Sequence, residues 1–506
     1  MTPGSRGFFL HFKKSRIGTV FSTCCTRRYG LLRSALLFYE KLVRDLEAHG
    51  FVINPYDPCV ANKMIGGHQM TVCWHVDDLK VSHKDPMEIT KFAVYLAGIY
   101  GDKLTVHRGK VHDYLGVDFD YSEPGKVKIS MIKYLKGVID EFPEQLPTKP
   151  AATPASDSLF KVRDEKDPTY RPLPEEKARQ FHHTVAQLLF MSSRSRRDIQ
   201  TAVAFLTTRV KKPDEDDWGK LRRCLSYLEG TKYMKLTLEV NDLRVIEWWV
   251  DASYTTHDDF KGHSGGMMSL GKGATTSASN KQKINVGSST EGEIVGTHDF
   301  LGKIMWAKYF IEAQGYTVDQ NIVYQDNQAT LRLMTNGRLS STKRTKHIHA
   351  RYFLVKDYIE RGEIKAVHCP AEGMWADVLN KPKQGASFRR DRSHLMNVPT
   401  DFDNEVERSR THHKLLAFEK EGTQDAPAKP RTVLKGALPV QHRRSVLGRP
   451  RIGAPHRSPN MRRGLNPRPR DIRPIPGVMA ESERVRTKVR MGRGRARGRG
   501  ARPAQQ

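Results

Sequence analysis

Cysteine is scarce in this chain, with six residues in 506 and none in a Cys-x-x-Cys pair. That count excludes a disulfide scaffold and a Cys-rich zinc site, and it points to a reducing, intracellular setting, cytoplasm or nucleus. Long apolar runs are missing too. No stretch approaches the roughly 18 apolar residues that a membrane-spanning helix needs. The apolar Phe8, Phe9 and Leu10 are soon followed by Lys13 and Lys14, so no signal-peptide core is expected and neither is secretion. Acidic residues are absent before Glu40.

Positive charge is abundant but uneven. The chain holds 85 Lys and Arg against 56 Asp and Glu, a net of +29. From Arg408 onward there are 26 basic and 6 acidic residues, whereas the first 407 residues carry a net of only +9. The body is mildly basic and the tail is a polycation. Residues 400–506 are rich in Arg, Pro and Gly, as in the Gly492–Gly500 stretch, and too poor in apolar residues to build a core. Disorder is expected there. Such a segment either binds RNA or DNA phosphates non-specifically or is an extension with no role.

Length predicts about two to four domains at roughly 150 residues each. Pro143, Pro147, Pro150, Pro154, Pro168, Pro172 and Pro174 cluster where helices and central strands cannot tolerate them, so 143–175 reads as a linker or extended connection. Two helices are expected over 176–210, with Phe181, Val185, Leu188 and Leu189 on one face. Another helix begins at the Asp214–Asp217 cluster, presents Trp218, Leu221, Leu225 and Leu228, and ends at Gly230. Beyond 244 the order reads β-β-β-α-β-α-α-β-α. Strands fall at Val245–Asp251, Gly265–Leu270, Thr275–Ser279, Ile322–Gln325 and Ile364–His368. A long helix over Thr290–Ala313 carries Ile294, His298, Leu301, Met305 and Tyr309, another spans 347–361, and a short one starts at Met374. This is a mixed sheet with helices packed on it.

Four acids fall where those elements begin or end: Asp251, Glu293, Asp326 and Asp377. Strand ends and helix starts at one sheet edge face a shared crevice, and carboxylates converging there need a hard divalent cation such as Mg²⁺. Each has a plainer explanation. Thr290 and Glu293 have capping-box spacing, Asp326 can cap the next helix, Asp377 can be a solvated helical residue, and Asp251 can be a turn former.

The order Val250-Asp251-Ala252-Ser253-Tyr254, Ser288-Ser289-Thr290-Glu291-Gly292-Glu293, Tyr324-Gln325-Asp326-Asn327-Gln328, Lys343-Arg344-Thr345-Lys346-His347-Ile348 and Ala376-Asp377-Val378-Leu379 resembles the RNase H domain of copia-type retrotransposon polyproteins. The resemblance implies that Asp251, Glu293, Asp326 and Asp377 are a catalytic quartet holding two Mg²⁺ ions, with Mn²⁺ as a substitute. Glu291, two residues before Glu293, would point elsewhere. His368 would help protons or product leave, or is a surface residue. Lys343, Arg344, Lys346 and His347 would touch the phosphates of an RNA–DNA hybrid, or form a solvated loop.

Upstream, the apolar Thr71–Val76 run, then Asp77-Asp78 and Leu79, resembles the palm hairpin of reverse transcriptases, with His75 where Tyr is usual. Tyr29-Gly30-Leu31 and Asp113-Tyr114-Leu115-Gly116 resemble the motifs on either side of it. The implied organisation is an unassigned segment 1–28, a truncated palm 29–142, the linker 143–175, a helical connecting region 176–243, an RNase H-like domain 244–390 and the tail. The implied fold class is α/β: an α+β palm remnant followed by a mixed-sheet RNase H-like fold. Nucleotidyl transfer needs a further Asp on an earlier strand, and none lies before Glu40, so polymerisation by this chain alone is not expected. The expected activity is hydrolysis of the RNA strand of an RNA–DNA hybrid. The alternative is a non-catalytic nucleic-acid-binding relic. Other retrotransposon polyprotein products are candidate partners; a membrane is not.

Overall fold

A computed structural model of the chain describes residues 6–12, 32–101, 104–337 and 353–402. All fall within the compact unit Met1–Lys414. The basic stretch from Arg408 lies outside the described residues. Among the described residues no helix is long and apolar enough to cross a membrane.

Strand β1 (Arg6–Phe12), helix α1 (Leu32–Ala48), strands β2 (Val52–Asn54), β3 (Asp57–Ile65), β4 (His68–His75) and β5 (Asp78–His83), helix α2 (Pro86–Tyr100) and strand β6 (Leu104–His107) build the first layer pair. The six strands run in the order β2-β3-β4-β5-β1-β6, antiparallel throughout. Alternation along β4 buries Met70, Val72 and Trp74 against Leu42 and Leu46 of α1 and Phe92 and Leu96 of α2. Helix α2 starts where Asp85 accepts the Met87 N–H at 2.8 Å and Pro86 presets the first turn. The segment 1–28, which no motif places, supplies the strand between β5 and β6.

A second sheet joins β7 (Val111–Tyr114), β8 (Val117–Asp120), β9 (Lys126–Ser130), β10 (Leu236–Val240) and β13 (Gly271–Lys272), in the order β13-β10-β9-β8-β7. It ties strands from 29–142 to strands on both sides of residue 243. Helices α3 (Ile132–Asp140), α4 (Glu175–Ser192), α5 (Gln200–Arg209) and α6 (Glu215–Gly230) pack with it in one core that includes Ile129, Leu135, Phe181, Trp218 and Leu225. Of the expected α4 stripe, Phe181, Val185 and Leu188 are buried, but Leu189 is 49% exposed because it falls on the solvent side of the turn. The proline-rich stretch makes no helix but is no free tether. Its Ala155, Leu159 and Phe160 are buried, and Ala151 N–H donates to Ser226 Oγ of α6 at 3.0 Å. Extended backbone with apolar residues can be buried without joining a ladder, provided its polar groups find such partners.

The third sheet has β11 (Val245–Ser253) at its centre, with β12 (Lys261–Ser269), β14 (Thr276–Asn285), β15 (Gln320–Gln325) and β16 (Lys365–His368) in the order β14-β12-β11-β15-β16. The β14/β12 and β12/β11 pairs are antiparallel; β11/β15 and β15/β16 are parallel. This is the mixed α/β sheet expected from the element order. Helix α7 (Ser289–Ala313) covers one face, its Phe300, Ile304 and Met305 meeting Ile246, Trp248 and Val250. On the other face Trp249 and Met267 meet Leu379 and Phe388. Burial on both faces explains why β11 reads as a nearly continuous apolar run. Helices α8 (Gln328–Asn336), α9 (Leu354–Glu360) and α10 (Gly385–Met396), with a 3₁₀ turn at Trp375–Leu379, complete the unit.

Two details depart from the periodicity reading. Along α7, Ile294, Leu301 and Met305 are buried as expected, but His298 and Tyr309 are only half-buried. Gly292–Thr297 is buried all round, because Ile294 and Val295 also pack against Leu333 and Phe353 in a small separate cluster. Strand β14 runs on to Asn285 through a polar stretch, Asn280–Lys283, that carries no strand signal of its own.

Candidate active site

The backbone brings three of the four expected acids together directly. Asp251 lies near the C-terminal end of β11, and Asp326 directly follows β15, its parallel neighbour. Glu293 lies in the second turn of α7. One carboxylate oxygen of each lies within 4.8 Å of the others. Asp251 and Glu293 are buried and Asp326 is half-buried.

Local hydrogen bonding settles which acids are spoken for by helix starts. Ser288 is the N-cap of α7, its Oγ accepting the Glu291 N–H at 3.1 Å. Glu291 in turn accepts the Gly287 N–H at 2.6 Å. The capping role therefore belongs to Ser288 and Glu291, two residues earlier than the Thr290–Glu293 spacing suggests, and Glu293 faces the sheet. There its Oε2 accepts the Ala252 N–H at 3.1 Å. Likewise Asn327, not Asp326, caps α8, accepting from the N–H groups of Ala329 and Thr330.

Asp377 reaches the same edge from the 3₁₀ turn, outside the 4.8 Å triad. Its approach depends on Gly265, which is in register with Asp251. A Cβ at Gly265 would lie 2.7 Å from Leu379 Cβ and 3.0 Å from the Ala376 carbonyl, so only glycine lets this turn lie against the sheet. Lys381 bridges the two acids, its Nζ 3.2 Å from Asp251 Oδ2 and 2.7 Å from Asp377 Oδ1. Lys383 Nζ lies 2.8 Å from Asp377 Oδ2 and 2.6 Å from the buried Asp391 Oδ2. Asn380 Nδ2 donates to Asp251 Oδ2 at 2.6 Å. Sequence reasoning missed Lys381, Lys383, Asn380 and Asp391. The available signal was the Asp377-to-Lys381 spacing of one helical turn.

The electrostatics follow from burial. Glu293 is pushed well above the ordinary carboxylate range by burial, then by Asp251 and Asp326. Asp251 is raised to about 6 by burial and by its hydrogen bond to Asp377. Asp326 is raised by burial, against the pull of Lys381. Asp377 is the exception: burial opposes its ionisation, but the hydrogen bond to Asp251 and the two lysines outweigh it, and it is held low. An all-oxygen, acid-rich set that resists ionisation without a counter-charge fits a hard divalent cation.

The remaining expected residues fall elsewhere. His368 ends β16, exposed, in register with Gln325, the residue before Asp326. Lys343, Arg344, Lys346 and His347 lie outside the described residues. Asp77 and Asp78 belong to the first sheet, where the two-residue turn is Val76-Asp77 and Asp78 opens β5 opposite His75. Val76 has a φ of 54°, a strained value for a β-branched residue. Strand β1, paired with β5, contains no Asp or Glu, and the residue in register with Asp78 is His11.

The chain is 25% identical over 360 residues to the retrovirus-related Pol polyprotein from transposon TNT 1-94 of Nicotiana tabacum, covering 70% of this chain and 26% of that protein. It is 25% identical over 367 residues to the corresponding polyprotein from transposon RE2 of Arabidopsis thaliana, covering 71% of this chain and 24% of that one. The chain thus spans about a quarter of the length of these curated relatives. Its homologues are Pol polyproteins of copia-type retrotransposons. Among solved structures, a prototype foamy virus protease-reverse transcriptase aligns at 16% identity over 75% of this chain and 45% of that one, with a TM-score of 0.22, too low to speak for a shared fold. No family model matches the chain.

Proposed function

We propose that this homologue of copia-type Pol polyproteins is an RNase H-type endonuclease that hydrolyses the RNA strand of RNA–DNA hybrids. The observation that carries the reading is the convergence of Asp251, Glu293 and Asp326 at one sheet edge, with Asp377 beside them. These four carboxylates would hold two Mg²⁺ ions, which supply the positive charge that activates a water and stabilises the departing oxygen of a phosphodiester.

The chain's own residues do the rest. Ala252 N–H and Asn380 Nδ2 fix the Glu293 and Asp251 carboxylates before substrate arrives, so little reorganisation is needed at the moment of reaction. Burial of Asp251 and Glu293 keeps bulk water from competing for their oxygens. His368, exposed and in register with the residue before Asp326, would help a proton or the product leave. Attack of water on phosphorus breaks the bond to the 3′ oxygen, leaving a 3′-hydroxyl and a 5′-phosphate. Choice of RNA would rest on contacts to 2′-hydroxyls across the minor groove, with Lys343, Arg344, Lys346 and His347 on the phosphates. Asp77 and Asp78 are a polymerase remnant, since the strand beside them carries no third acid. The basic tail would add salt-dependent binding to RNA or DNA.

That same acid-free strand favours a second reading, a retroelement relic that binds nucleic acid without cutting it. The two are separated by offering the full chain a hybrid, duplex RNA and duplex DNA of one sequence. The proposal expects cleavage confined to the RNA strand of the hybrid. Equal retention of all three, uncut and fading with salt, supports the relic.

A further inference from the structure

The acid cluster contains an ammonium group of its own. Lys381 Nζ lies between Asp251 Oδ2 and Asp377 Oδ1, at 3.2 and 2.7 Å, the position of a cation shared by those two oxygens. The contacts are unevenly distributed. Among the described residues Glu293 and Asp326 make no ion pair with a lysine, and one carboxylate oxygen of each lies within 4.8 Å of one of Asp251, so at this position only Asp251 shares an acid with the ammonium group. Both oxygens of Asp377, by contrast, are engaged by ammonium groups.

The two lysines also differ in freedom. Lys383 is 15% exposed and anchored on Asp391, whose side chain is fully buried. Lys381 is 46% exposed. Its stem can swing into solvent at little cost, whereas moving Lys383 would strand a buried carboxylate.

From this placement we propose that Lys381 is a tethered internal cation that holds the Asp251–Asp377 pair until a second divalent ion displaces it. It is a positioning residue: it keeps two mutually repelling acids together in the metal-free protein and makes ion loading sequential, the Asp251–Glu293–Asp326 position first. The inference rests on the metal-centre reading above and adds an order of binding to it.

The test is Mn²⁺ titration of the full chain, with free ion read by electron paramagnetic resonance, alongside metal-free thermal unfolding. The wild type should bind one ion more tightly than a second. Lys381→Gln, which keeps a hydrogen-bonding head without the charge, should tighten the weaker site by about tenfold, the scale of one partly buried ion pair. It should also lower the metal-free melting temperature and recover it with Mn²⁺. Lys381→Met is the second variant, and should do the same if charge rather than shape is what matters. Lys383→Gln should lower stability without tightening either site.

Two outcomes overturn the proposal, and they differ. If the wild type binds two ions, loses one in Asp326→Asn, and the Lys381 variants bind both no tighter than wild type, the tethered-cation role falls and the metal centre stands. If the folded wild type binds no Mn²⁺, the metal centre falls and takes this inference with it.

Discussion

Glu293 Oε2 accepts a hydrogen bond from the backbone N–H of Ala252 at 3.1 Å, tying the second turn of α7 to the residue next to Asp251. The contact forms because Ser288 and Glu291 satisfy the helix start between them, which leaves Glu293 free to face the strand. Gly296, one turn on, lets the helix come close: a Cβ there would lie 3.2 Å from Ala252 Cβ.

Glu293→Gln keeps an acceptor for Ala252 and removes a carboxyl whose ionisation burial and its acidic neighbours oppose. The variant should fold, with a metal-free melting temperature at or above that of the wild type. Its hybrid cleavage should fall by more than the ~10–100-fold that loss of an outer-shell partner costs. Thermal unfolding and initial rates on one preparation check both halves.

Gly265→Ala tests how Asp377 reaches the site. The new Cβ would meet Leu379 Cβ at 2.7 Å and the Ala376 carbonyl at 3.0 Å. The 3₁₀ turn must move, at a cost of about 1–3 kcal/mol, and Asp377 moves with it. Denaturant unfolding should show that loss together with weakened Mn²⁺ binding. Gly137→Ala, inside α3 where a Cβ meets nothing within 4 Å, should leave Mn²⁺ binding unchanged and, if anything, raise stability by about 0.5–1 kcal/mol, because alanine favours a helix over glycine.

Acid should weaken metal binding. Asp251, raised to about 6 by burial and by Asp377, must lose its proton to bind an ion, so affinity should climb between pH 5 and pH 7 and binding near pH 6 should release protons. In the metal-free protein the sign is the reverse. A carboxyl raised on folding contributes stability below its unfolded value near 4, and loses it as pH rises through about 6. Calorimetry in buffers of different ionisation enthalpy measures the proton release, and urea unfolding from pH 4 to 8 measures the stability.

A histidine pair bends the same curve the other way. His257 Nε2 lies 3.0 Å from His263 Nδ1, and His263 Nε2 lies 2.8 Å from Ser279 Oγ. Burial first, then nearby positive groups, lowers them to about 4 and about 3. Both stay neutral in the fold but take up protons when unfolded, so stability present above pH 6.5 is lost as pH falls towards 4. His257→Gln should flatten the acid side of the urea midpoint against pH.

The first sheet is clasped to α7. Trp306 Nε1 donates to the Tyr56 carbonyl at 3.0 Å, Tyr309 stacks on Tyr56 at 5.4 Å, and Gln69 Nε2 donates to Gln314 at 3.3 Å. Trp306→Ala should loosen that sheet and spare the third one. Hydrogen exchange should rise in β2–β4 while α7 and β11 keep their protection.

Much of this was legible in the sequence because it rests on local rules. The β11–β12–β14–α7–β15 order follows from apolar runs and turn residues; the four acids fall near element ends, but it is the resemblance of the motifs around them that singles them out among 56 acidic residues. What escaped was set by contacts distant in sequence. Asn380, Lys381 and Lys383 became site residues only when Gly265 let their turn approach β11. Strand β1 has no partner within 60 residues: it pairs with β5 and β6, and no periodicity inside Arg6–Phe12 announces that. Proline marks 143–175 as a linker or extended connection by excluding helix and ladder, but nothing local shows that Leu159 and Phe160 join the core.

The most direct test of the central claim is cleavage of an RNA–DNA hybrid, end-labelled on the RNA, by the full chain with Mg²⁺ and with Mn²⁺. Asp326→Asn and a chelator serve as controls. The account predicts metal-dependent cutting that leaves 3′-hydroxyl and 5′-phosphate ends and vanishes in the variant. Intact RNA with a folded, Mn²⁺-binding wild type, or cutting that survives in Asp326→Asn, would contradict it.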